Sequence, residues 1–91
     1  MKSPLGYQFR NQTIPDNTAY GLRQYIDHHI RPGSFLTAVL CNDLRESFSC
    51  ADEENSDNLQ SIVAWLYNEA PSAAWGNRER FVWWLNAGED S

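Results

Sequence analysis

The sequence predicts an all-α fold, a compact bundle of about four helices with an irregular N-terminal arm. Three observations lead there. Apolar residues recur at helical spacing in four stretches, capping or breaking residues bound each stretch, and no alternating run of β-branched residues appears. At 91 residues the chain has room for one core and one domain. That domain is expected over 13–88, with 1–12 as the arm and 89–91 as a frayed tail.

The arm contains Pro4 and Gly6 and lacks helical periodicity, with Tyr7 and Phe9 as its candidate anchors. A first helix is expected from Thr13-Ile14-Pro15-Asp16, where a hydroxyl cap precedes a proline and an acid, to about Ile30. Leu22, Tyr25, Ile26 and His29 mark its apolar face, Gly21 weakens it by about 1 kcal/mol relative to alanine, and Arg31-Pro32-Gly33 stops it. Ser34 is the expected cap of a second helix, in which Leu36, Val39, Leu40, Leu44, Ser47 and Phe48 form one continuous face. The polar run 52–57 is expected as a loop, because carboxylates oppose the dipole at a helix end and favour it before a helix start. Ser56 or Asp57 would cap the third helix, whose repeat is Leu59, Ile62, Val63, Leu66, Tyr67 and Ala70, and Pro71 ends it. After a turn through Trp75-Gly76, Asn77 is the expected cap of a fourth helix carrying Phe81, Trp84 and Leu85, with Gly88 at its end. Short connections favour antiparallel neighbours.

Composition narrows the function classes. Seven basic residues against 12 acidic ones, a net charge of -5 and a single lysine leave little from which to build a phosphate-neutralising face, so direct nucleic-acid binding is not expected. Cys41 and Cys50 are too few for a disulfide framework, and nine positions apart they would fall on opposite sides of one helix. Both are read as reduced, packed thiols. The first residues lead into Tyr7, Gln8, Phe9 and Arg10 rather than an apolar run, so neither a secretory signal nor a membrane span is expected and the location reads as cytoplasmic.

Chemical motifs are sparse. His28 and His29 are adjacent, about 100° apart on a helix, and no cysteine or histidine stands at metal-ligand spacing from them, so no metal or cofactor is expected. Cys41 or Cys50 with His28 or His29 is a formal nucleophile and base pair, yet nothing local activates either thiol, no catalytic signature surrounds them, and a buried cysteine ordinarily behaves as a small hydrophobe. The run 52–57 lacks the glycine and closing glutamate of a calcium loop, and no glycines cluster as a phosphate cradle. Four tryptophans are harder to place. Trp84 suits the core, Trp65 and Trp83 fall at the flanks of their helices' apolar faces, and Trp75 stands in a turn, where it either seals the junction of the last two helices or presents a binding face. The expected binding group is Asn42, Asp43, Asn68, Trp75, Arg78 and Arg80, lining one pocket, with no catalytic residues assigned.

The block Pro32-Gly33-Ser34-Phe35-Leu36-Thr37-Ala38-Val39-Leu40-Cys41-Asn42-Asp43-Leu44 continues with Trp65-Leu66-Tyr67-Asn68-Glu69-Ala70-Pro71 and Trp75-Gly76. With Ile14-Pro15 before it and Ala51-Asp52 between, this ordered string over residues 14–85 resembles a group of small all-helical accessory proteins of tailed phages and prophages. The resemblance implies a setting rather than an activity: a phage product that binds and disables a host factor, either a protein or a nucleotide-derived signal of antiviral defence. The expected function is therefore non-catalytic sequestration or blockade, with a host protein or a small nucleotide-like ligand as partner. Self-association into a homo-oligomer would suit a shared ligand pocket. Two other classes are weighed beside it: a small hydrolase or transferase using Cys41 and His29, and an acidic DNA mimic using the 52–57 run against a basic host protein.

Overall fold

A computed structural model describes residues 1–88, so the tail expected at 89–91 lies outside the described residues. The chain is mostly helical, as expected, but is cut more finely than four helices. A short hairpin, β1 (Gln8–Phe9) and β2 (Gln12–Thr13), precedes α1 (Asp16–His28), α2 (Ser34–Leu40), α3 (Leu44–Cys50), α4 (Glu53–Asp57), α5 (Leu59–Glu69) and α6 (Arg78–Ala87). A single 3₁₀ turn at Ser72–Ala74 joins the last two.

The arm is more ordered than its sequence suggests. Gln8 pairs with Thr13 and Phe9 with Gln12, antiparallel, and Arg10 takes the left-handed conformation that turns the chain between them. Long-range polar bonds pin the hairpin to α5: Gln12 Oε1 accepts from the Ser61 amide at 3.0 Å, and the Thr13 amide donates to Asn58 Oδ1 at 3.2 Å. Ahead of it, the Trp65 indole donates to the Lys2 carbonyl at 2.9 Å. Tyr7 packs against the core, as expected of an anchor. Thr13 is thus a strand residue and not the cap of α1, whose N-cap position is Pro15.

The second helix is the main correction. The expected continuous face from Leu36 to Phe48 is interrupted after Leu40, because Asn42 adopts the left-handed region at φ 60°. Asp43 then restarts the chain as a helix, its carboxylate accepting from the Glu46 amide at 3.1 Å. A new helix axis removes the common face, and Leu44 and Phe48 are left 74% and 73% exposed. Gly33 stands at the N-cap of α2, so Ser34 is its first helical residue. The run expected as a loop is also partly helical: Asp52 accepts from the Asn55 amide and starts α4, and Ser56 and Asp57 lie within it instead of capping α5. Asn58 occupies that cap position, but its side chain reaches back to the Glu54 carbonyl and to β2.

The core gathers Leu22, Tyr25 and Ile26 of α1 with Leu36, Val39 and Leu40 of α2, Ile62, Trp65 and Leu66 of α5, and Phe81 of α6. Gly21, a local weakness by propensity, has a packing reason, since a Cβ there would lie 3.0 Å from a Leu36 methyl. Asn77 caps α6 and Gly88 follows its last turn, both as expected. No helix among the described residues is long and apolar enough to cross a membrane.

Candidate functional site

The six residues expected to form one pocket are distributed over three places. Asp43 and Arg78 line a cleft of about 320 Å³ together with Ser34, Thr37, Cys41 and Glu46. Asn42 is exposed in the turn beside it. The break after α2 and the Asn77-capped start of α6 create this juxtaposition, which an unbroken helix would not. Arg80 points elsewhere: its guanidinium donates to the Ser72 carbonyl at 3.2 Å and the Trp75 carbonyl at 3.4 Å, which clasps the 3₁₀ turn. Trp75 is half-buried against the core, and the following Gly76 amide donates to the Leu40 carbonyl, so this tryptophan seals the α5–α6 junction. Asn68 stands apart on α5, on the rim of a different groove.

The electrostatics of the Cys41 cleft limit what it can hold. Asp43 and Glu46 line it with Arg78, and Arg31 acts on the same thiol, so the cleft offers no surplus of positive charge to an anionic ligand. Burial pushes the Cys41 thiol up from its ordinary value, Arg78 and Arg31 pull it partly back, and Asp43 adds to the rise. Cys50 is also held up, chiefly by donating its proton to Glu46 Oε1 at 3.2 Å. A raised thiol is the reverse of what nucleophilic catalysis needs. His29, the formal base, closes α1 in the left-handed conformation. Its Nδ1–H donates to the Trp84 carbonyl at 2.7 Å, and its ring lies 4.8 Å from that of Trp84. His28 is exposed, and no metal-holding cluster of His, Cys, Asp and Glu occurs among the described residues.

A large apolar concavity lies where no site was expected. An open groove of about 700 Å³ runs between the hairpin and α5, lined by Phe9, Leu59, Val63, Ala64 and Tyr67, with Gln12, Ser56, Gln60 and Asn68 on its edges. Leu59, Val63 and Tyr67 belong to the repeat assigned to the core. Ile62 and Leu66 of that repeat are buried, with Ser61, Ala64 and Trp65, and Leu59 and Ala70 pack partly buried against the core, so the helix is rotated toward Trp65, which is fully buried rather than flanking, and Val63 and Tyr67 turn outward. Tyr67 consequently stands 80% exposed. A signal was available: α5 carries more large apolar residues than one helical face can bury, so some had to remain outside. On α6, Trp83 is 58% exposed and lines a separate cleft with Ser72, Ala73, Glu79 and Arg80.

No protein-family model, curated protein or solved structure matches this chain.

Proposed function

We propose that this chain is a non-catalytic binding protein of phage or prophage origin, which blocks a host antiviral-defence or regulatory protein through the groove between the hairpin and α5. The groove carries the reading. It is concave, mainly apolar and rimmed by amides, the composition by which binding sites combine desolvation with orientation. Val63 and Tyr67 stand exposed beside the half-buried Leu59 and Phe9, and apolar surface gathered in one concavity loses free energy to water unless something covers it. Against a thiol enzyme stand the raised Cys41 and Cys50 and the structural engagement of His29. Against a small anionic ligand in the Cys41 cleft stands the balance there of Asp43 and Glu46 with Arg78 and the nearby Arg31, which leaves no surplus of positive charge.

Val63 is partly exposed in the groove, so Val63→Glu places a charge on the proposed contact face without opening a core cavity. The encoding phage bearing Val63→Glu is expected to lose its growth advantage on a host carrying the targeted system, while the purified variant keeps its far-ultraviolet dichroism and its unfolding midpoint. Undiminished growth with the folded variant would refute this assignment.

A further inference from the structure

We infer that the groove's partner is a basic amphipathic helix, apolar along one face and bearing Lys or Arg on the flank that meets α4. The inference rests on the groove being the binding face proposed above. Shape supplies the first argument. Leu59, Val63 and Tyr67 are spaced four residues apart on α5, so they form a row about 12 Å long, and Phe9 of β1 stands with them in the lining. A row of that length matches about two turns of a helix laid along it, whose anchors at i, i+3, i+4 and i+7 would enter between Phe9 and α5.

Charge supplies the second argument, independently. Ser56 at one end of the groove belongs to α4, on which Glu53, Glu54 and Asp57 are all exposed. Successive residues of a strand face opposite sides. Gln12 accordingly lines the apolar groove, while Thr13 lines a neighbouring cleft of about 570 Å³ that also holds Asp16 and Glu54. The hairpin is thus a shared wall, apolar on one side and acidic on the other. No lysine or arginine lines either concavity, and none of these carboxylates has an ion-pair partner among the described residues. Arg10 is held over the Phe9 ring, 5.2 Å from its centroid. An acidic partner would bring like charges together along α4, whereas a basic flank would find uncompensated carboxylates beside its apolar anchors.

The test is nuclear magnetic resonance titration of the full chain with three synthetic peptides of about 14 residues, or four helical turns. One is a Leu/Lys amphipathic helix, the second has the same composition with the leucines scattered around the helix, and the third is a Leu/Glu helix with the first pattern. The expected result is that the Leu/Lys helix shifts the signals of Leu59, Val63 and Tyr67 and binds at least about tenfold more tightly than the scattered peptide. Binding should weaken with added salt, and Asp16→Asn with Glu54→Gln should lower both the affinity and its salt dependence. Equal binding of the scattered peptide, or shifts confined to other surfaces, would overturn the inference. Should the Leu/Glu helix occupy the groove while the Leu/Lys helix does not, the basic partner is refuted and the groove survives as a binding face. Should no peptide reach the groove and the Val63→Glu phage grow undiminished, both readings fall.

Discussion

Tyr25 is wholly buried, its hydroxyl donates to the Ala74 carbonyl at 2.6 Å, its ring stacks on Phe81 with centroids 5.4 Å apart, and its carbonyl accepts from the Trp84 indole at 2.9 Å. One residue therefore ties α1 both to the turn after α5 and to α6. Tyr25→Phe retains the ring and the backbone acceptor but strands the Ala74 carbonyl. A loss of about 1–2 kcal/mol is expected, read as a lower midpoint in denaturant unfolding, and an unchanged midpoint would mean that water or another donor reaches that carbonyl. The residue class was legible in advance, since Tyr25 lies on the periodic face of the first helix. Its partners were not, because Ala74 and Phe81 are brought to it by the path of the chain through α5 and the turn that follows.

At the scale of elements, the decisive feature is the break between α2 and α3. Asn and Asp are the residues that tolerate left-handed backbone and cap helices, and here they do so in succession: Asn42 takes φ 60° and Asp43 accepts from Glu46. The apolar spacing from Leu36 to Phe48 argued for continuity, and local capping chemistry prevailed over it. Asn42→Gly is expected to be close to neutral, whereas Asn42→Val forces a β-branched side chain into left-handed backbone and should cost about 1–3 kcal/mol in thermal or denaturant unfolding. Equal stability of the two variants would contradict the assigned turn. Similar logic explains α4, where Asp52 caps a turn inside a run that charge alone suggested was a loop. For the candidate site, spacing did reveal that Leu59, Val63 and Tyr67 share a row, but it could not say that Val63 and Tyr67 would face outward while Leu59 packs partly against the core.

For the whole molecule, the phenol of Tyr25 and the thiol of Cys41 link folding to alkaline pH. Burial raises both above their ordinary values of 10.0 and 9.0, so the unfolded chain releases these protons first. Ionisation then favours unfolding: stability is fully present below those values and is lost as pH rises above about 9 for the thiol and 10 for the phenol. Unfolding midpoints measured from about pH 8 to about pH 11 should fall, by up to about 1.4 kcal/mol per pH unit from Tyr25 once its unfolded value is passed. The decline should be shallower in Tyr25→Phe, and parallel profiles for the two proteins would exclude this origin. The sequence by itself determined the helical class, the end of α5 before Pro71, the Asn77 cap of α6 and the net charge of -5, because each depends on composition or on interactions within a few residues. Tertiary structure alone decided that Trp65 turns inward and Tyr67 outward, that Trp75 seals a junction, and that Asn68, Arg78 and Arg80 stand at separate concavities. The physical reason is the reach of the interactions concerned. The bond from Trp65 to Lys2 and that from Ser61 to Gln12 orient α5 from the far end of the chain, and helical periodicity places residues around an axis without saying which side will be covered.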